Sequence, residues 1–163
     1  KGRTAILKVH ARNKKLSPKI NLEDISRRTP GFSGADLENL LNEAALLAAR
    51  ENRKEIKIYD IDEAIDRVMM GPAKKSRKYN EEEKRSVSFH EAGHATVSWL
   101  LPYANPLFKV TIVPRGQALG AAWYLPEERQ LVTKDQMIDE MCSLIGGRVA
   151  EEIINGLMCL FKL

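Results

Sequence analysis

The pentapeptide His90-Glu91-Ala92-Gly93-His94 constrains this chain more than any other stretch, because every local signal around it favours a helix. At 3.6 residues per turn, positions four apart share a face, so both imidazoles can converge on one cation while Glu91 projects beside them. Two of the three histidines in the chain fall inside this pattern. Asn80 is a natural cap for the helix, and Glu81, Glu82 and Glu83 complement the positive end of its dipole. An apolar series then runs to Leu101 before Pro102 stops it. Neutral imidazoles on a rigid helix suit zinc, with His90 and His94 as ligands. Glu91 is placed to take a proton from an attacking water and pass it to a departing amine, so the predicted reaction is peptide-bond hydrolysis.

A catalytic zinc needs one more protein ligand and an open position. The extended pattern H-E-x-x-H-x-x-G-x-x-H is excluded, because Val97 and Leu100 stand where it requires glycine and histidine. A plan with a downstream glutamate leaves Glu140, Glu151 and Glu152 available. Gly93 lets another backbone approach the helix, for packing alone or for the site.

The rest of the chain divides in two. Up to about residue 71 it reads as consecutive short helices: one marked by Ala5, Ile6 and Val9, one over 22–28 capped by Asn21 with Asp24, and one through Asn52 capped by Ser33 with Asp36. A fourth starts at Asp60, with Ile61, Ala64, Ile65 and Val68 inward, and ends at Gly71-Pro72. Leu37, Leu40, Leu41, Ala44, Ala45, Leu47 and Ala48 recur at three- and four-residue spacing, which predicts one broad buried face. Residues 73–79, basic and without apolar periodicity, read as a linker. After the pentapeptide helix, 108–113 and 121–125 are candidate strands, rich in β-branched or aromatic residues. Thr133 with Gln136 caps a last helix through Ile145, which Gly146-Gly147 interrupts and 148–154 continues. The expected fold is mostly α with a small β-sheet.

Composition narrows the function classes. A chain of 163 residues with 44% hydrophobic content can hold one ordinary domain or two small ones, and is not disordered. The net charge of +4 is small and concentrates in two runs, Arg12 to Lys19 and Lys74 to Lys78, which a solvated face or linker explains. No nucleic-acid partner is expected. Cys142 and Cys159 form no C-x-x-C pair, which points to a reducing compartment. No stretch is apolar enough to span a bilayer and no signal peptide opens the chain, so it is expected to be soluble. It lacks an initiator Met and begins in helical periodicity, so it reads as a piece of something longer.

Several segments resemble the membrane-bound AAA+ zinc proteases of the FtsH type and their mitochondrial relatives. They are Thr29-Pro30-Gly31-Phe32-Ser33-Gly34-Ala35-Asp36-Leu37 with Asn42-Glu43-Ala44-Ala45, then Phe89 to Ala95, Lys109 to Gly116, and Gly146-Gly147-Arg148-Val149-Ala150-Glu151-Glu152. The resemblance covers nearly all of residues 2–156. It implies a four-helix AAA+ lid over 1–72, the linker over 73–79, and a truncated, zincin-like peptidase domain from residue 80 with an atypical tail at 157–163. It assigns His90 and His94 as zinc ligands and Glu91 as catalytic base. It adds His10, Gly34 and Ala35 to an adenine pocket, and ATP as a second cofactor of the full-length parent. That parent would be a membrane-anchored homo- or hetero-hexamer, bacterial or mitochondrial, acting on unfolded or membrane proteins. The strand at 109–113 could hold an extended peptide by its edge, or be purely structural.

The chain also departs from the family. It has no G-x-x-x-x-G-K-[ST] segment, so this piece alone is not expected to hydrolyse ATP. The family's third zinc ligand is an Asp about 75 residues beyond the second histidine, which lies past Leu163. The isolated chain is therefore expected to be inactive. Two other readings stay open: a non-catalytic helical interaction module, and a small zinc hydrolase using a glutamate ligand.

Overall fold

The computed structural model of the chain describes residues 1–74, 79–125 and 131–156. It divides into two compact units, Lys1–Pro72 and Ala73–Leu163. The described residues form six helices and one two-stranded antiparallel sheet, a mostly α fold with a small β component. Residues 75–78 of the expected linker and the tail 157–163 lie outside the described residues.

The first unit holds α1 (Gly2–Ala11), α2 (Leu22–Arg27), α3 (Gly34–Arg50) and α4 (Ile58–Met70). Their starts have local causes. The Asn21 side chain accepts the Glu23 N–H at 2.9 Å. Ser33 and Asp36 form a reciprocal capping box, with the Asp36 carboxylate accepting the Ser33 N–H at 2.8 Å. The last helix begins at Ile58, two residues before the expected Asp60. Asp60 lies in its first turn instead, where it accepts the Lys57 N–H at 2.8 Å and two Arg53 guanidinium bonds at 2.6 Å. So paired, the carboxylate tolerates almost complete burial.

Leu37, Leu40, Leu41, Ala44 and Ala48 form the buried face of α3, as their spacing predicts. They meet Leu7 of α1, Ile25 of α2, and Ile61, Ala64 and Ile65 of α4. Each fully buried leucine stabilises by roughly 2 kcal/mol, so this cluster is the unit's main source of stability. The loop after α1 is tied to the α3–α4 connection, with Ser17 N–H donating to Ile56 O at 2.9 Å and Ile56 N–H to Lys15 O at 2.8 Å.

The second unit comprises α5 (Glu81–Leu100), β1 (Leu107–Thr111), β2 (Ala121–Tyr124) and α6 (Lys134–Asn155). Asn80 and Thr133 cap the two helices, each in a reciprocal box with the residue three positions on. β1 is shorter than expected: the Thr111 hydroxyl accepts the Val113 N–H at 3.1 Å, which takes residues 112 and 113 out of the ladder. Ala73 and Lys74, expected to be linker, pair with Arg115 and Pro114 and belong to this unit.

The helix over 134–155 is continuous, so Gly146-Gly147 does not interrupt it as expected. The glycines serve the packing of α6 on α5. A Cβ built on Gly93 would lie 2.6 Å from the Ala150 Cβ and 2.9 Å from the Gly146 carbonyl carbon. One built on Gly146 would lie 2.8 Å from both the Gly93 carbonyl oxygen and a Val97 methyl. Both obstacles include backbone, which cannot rotate away. The helices run antiparallel, since Ser86 bonds Asn155 at one end while His94 reaches Ser143 further along.

Substituting alanine at Gly93 or Gly146 should therefore lower stability by about 2 kcal/mol in urea unfolding, despite alanine's better helix propensity. Gly2→Ala meets nothing within 4 Å and should cost nothing. Equal effects at the three positions would contradict the glycine seam.

Candidate active site

The pentapeptide lies on α5, and its geometry follows from helical spacing. The His90 and His94 rings stand edge to face at 84°, with their Nε2 atoms 3.0 Å apart. Each Nδ1 is engaged on the far side of its ring. His94 Nδ1 lies 2.8 Å from the Ser143 carbonyl oxygen, which can only accept, so this nitrogen carries the proton. Gly147 N–H, 3.3 Å from the same nitrogen, makes the longer contact. His90 Nδ1 lies 3.0 Å from Glu151 Oε1, and that carboxylate is only 1% exposed. Burial raises the Glu151 carboxyl, opposed by the nearby charges of Arg148 and His94.

These partners come from one stripe of α6. Ser143, Gly147 and Glu151 are spaced four apart, so they share a face and run along α5 against His94, both rings, and His90 in turn. Gly147 is the floor of the site. A Cβ there would lie 2.5 Å from His94 Nε2 and 2.9 Å from His90 Cδ2.

The residues present fit a divalent metal. Two ring nitrogens sharing a tetrahedral zinc at 2.0–2.1 Å sit about 3.3 Å apart, close to the 3.0 Å found for the two Nε2 atoms. Both Nδ1 positions have acceptors that hold the proton away from the metal side. Two lone pairs facing each other at this range repel unless a cation or proton lies between them. Burial, reinforced by His94 and Arg148, holds His90 down to about 4, so its imidazole is neutral near pH 7 and able to ligate. Among the described residues, no cluster of three His, Cys, Asp or Glu side chains completes a ligand set.

Glu91 is 6% exposed, and burial pushes its carboxyl up to about 7. Its Oε2 has no hydrogen-bond partner among the described residues. A group that keeps a proton near neutrality without a fixed partner can exchange it with a bound reactant.

The glutamates considered as a third ligand take other places. Glu151 stands at Nδ1 of His90, on the opposite ring edge from Nε2, so it orients the imidazole rather than joining it on a metal. Glu140 and Glu152 are exposed, with Glu140 3.5 Å from the Asn105 amide. The regular spacing of Ser143, Gly147 and Glu151 on one helix face was the available signal for their common role. Ser98 was not foreseen either: its hydroxyl donates to the His94 carbonyl at 2.6 Å and lies 3.1 Å from the Tyr124 hydroxyl of β2.

The expected nucleotide residues lie in the first unit. His10 on α1 has its Nδ1 3.9 Å from Glu38 of α3. Gly34 opens α3, where a Cβ would meet the Ile6 side chain of α1 at 3.9 Å, and Ala35 follows it. His10 and Gly34 lie along the α1–α3 contact, whereas Ala35 is exposed.

Comparison with known proteins adds an independent line. Residues 77–159 match the model of peptidase family M41, and residues 19–63 match that of the AAA+ lid domain. The ATP-dependent zinc metalloprotease FtsH of Bacillus subtilis (strain 168) is 60% identical over 156 residues, 95% of this chain and 24% of that protein. The protein of the same name from Parabacteroides distasonis is 55% identical over 154 residues, 94% of this chain and 22% of its own length. For Thermotoga maritima the figures are 54% over 157 residues, 95% and 26%. The chain thus spans about a quarter of the length of these curated relatives.

The buried carboxylate has a measurable consequence in metal-free protein. A carboxyl raised from 4.5 to about 7 binds its proton more tightly when folded, so its contribution is full below 4.5 and is lost as pH rises to 7. Glu91→Gln removes that loss. The variant should be more stable than the parent at about pH 8, with the difference closing by pH 4.5 in urea titrations. A difference independent of pH would refute this.

Proposed function

The chain belongs to peptidase family M41, and on that premise we propose that it carries the zinc-binding helix of a metalloendopeptidase that hydrolyses peptide bonds in proteins. One observation carries the reading: both pentapeptide imidazoles present Nε2 to a common point, with each Nδ1 held from behind by α6. In this reading His90 and His94 hold zinc, and Glu151 and the Ser143 carbonyl fix their tautomers. Bound zinc supplies Lewis acidity toward the scissile carbonyl and toward water.

The protein's own part is proton transfer and positioning. Glu91 accepts a proton from the attacking water on its carboxylate and later delivers it to the departing amine. Its burial keeps its basicity near that of a neutral-pH base. The two-stranded sheet packs on α5, and a strand-like substrate could pair with its backbone, with 109–113 the favoured stretch. The third zinc ligand comes from outside the described residues.

In the same proposal the first unit works as the lid of an AAA+ ATPase, supported by its match over 19–63 and by the relatives' description as ATP-dependent. His10, Gly34 and Ala35 would line the nucleotide there. The full-length assembly would be a membrane-anchored hexamer acting on unfolded or membrane proteins. No helix among the described residues is long and apolar enough to cross a membrane.

Glu91→Gln in the full-length protein should lower protein cleavage at least about a hundredfold while zinc content stays stoichiometric. His90→Ala and His94→Ala should lose zinc and cleavage together. Unaltered cleavage by the Glu91 variant would end the proposal. Glu151→Gln should weaken zinc binding about tenfold to a hundredfold in competition with a chelator, without abolishing it. Complete loss of zinc there would make Glu151 a ligand instead.

A further inference from the structure

Gly120 immediately precedes β2 and has no conformational reason to be glycine. It is not among the residues with positive φ, which in this hairpin connection are represented by Gly116 alone, at 52°. An L-residue would suit the backbone. Space is what excludes one. A Cβ on Gly120 would lie 2.6 Å from Glu91 Oε1, 2.8 Å from its Cγ and 2.9 Å from its Cδ. The carboxylate therefore rests directly on the bare α-carbon.

This wall is anchored on both sides. The Tyr79 hydroxyl donates to the carbonyl of Leu119, just before Gly120. Ala121, just after it, is in register with Thr111 in the β1–β2 ladder. The preceding turn is closed by reciprocal backbone bonds between Arg115 and Ala118, at 3.1 and 2.8 Å. The far end of β2 is held to α5 through Tyr124 and Ser98, one turn beyond His94. A backbone segment fixed at so many points cannot retreat from an added methyl group. The Glu91 side chain has rotatable bonds and a buried Oε2 without a hydrogen-bond partner among the described residues, so the side chain is what would move.

We infer that Gly120 is a positioning residue for Glu91: the glycine wall sets where the carboxylate sits relative to the two imidazoles, and any side chain at 120 displaces it. The inference rests on the reading of Glu91 as catalytic base. It acts on geometry, since an ångström of displacement in a reacting group is enough to lower a rate about a hundredfold.

The test uses the full-length protein, with zinc content, protein cleavage and melting measured for Gly120→Ala, Glu91→Asp, Glu91→Ala and the doubles. Gly120→Ala should lower kcat about tenfold to a hundredfold, with KM and zinc content unchanged within about twofold. Aspartate is one methylene shorter and withdraws from the wall. Gly120→Ala should therefore cost little further activity in the Glu91→Asp background, and little melting temperature in the Glu91→Ala background. Losses that multiply in the first double, or a melting penalty that persists in the second, would overturn the inference. So would an unchanged kcat, or loss of zinc along with activity. If the parent protein bound zinc but cleaved nothing, the hydrolase reading would fall. The melting comparison would still decide whether residue 120 places the carboxylate.

Discussion

The second unit depends on the approach of two helices closer than any side chain would allow. Gly93 on α5 and Gly146 on α6 meet backbone to backbone, and the distance this sets reaches the site directly. With the helices this close, a carbonyl of α6 lies within hydrogen-bond range of His94 Nδ1, and the Glu151 carboxylate reaches His90 Nδ1. A larger residue in the seam would separate the helices. The two imidazoles would then keep their helical spacing but lose the groups that fix their tautomers. Imidazole pair and supporting pair are one packing event.

The same approach explains the polar interior. Glu91, Ser98, Ser143 and Glu151 are buried in this unit, while Val87 is its one buried large hydrophobic side chain among the described residues. Large apolar residues such as Trp99, Leu100, Leu144 and Ile153 are exposed. The first unit is the opposite case, with a contiguous apolar cluster drawn from all four helices. One unit is organised by burial of leucine and isoleucine, the other by hydrogen bonds and close backbone contact around a pair of histidines.

That contrast accounts for what could be read from the residues alone. Apolar spacing exposed the buried face of α3, and the caps at Ser33, Asn80 and Thr133 were visible because both partners lie within three residues, while Asn21 caps α2 through the Glu23 N–H rather than with the expected Asp24. The pentapeptide was legible for the same reason, since its geometry is internal to one helix turn. Gly146-Gly147 misled because helix propensity is a local quantity and treats glycine as a break, whereas the reason for these glycines is a neighbour more than fifty positions away. Glu151 is 61 residues from His90, and no local pattern separates a ligand from the residue that orients one. The contact of Gly120 with Glu91 is equally non-local. Among candidate sites, the chemistry-bearing side chains were readable; the groups that hold them still were not.

The energetics of the two units should differ accordingly. A core of leucine and isoleucine stabilises its fold whether or not a ligand is present. In the second unit the two Nε2 atoms lie 3.0 Å apart, and the buried Glu91 Oε2 has no hydrogen-bond partner among the described residues, so its desolvation is not offset within them. A cation bound between the imidazoles would add its binding free energy to the free energy of folding. Tight seam glycines and buried polar partners then serve stability and geometry at once, because the packing that joins α5 and α6 also brings Ser143 and Glu151 against the two imidazoles.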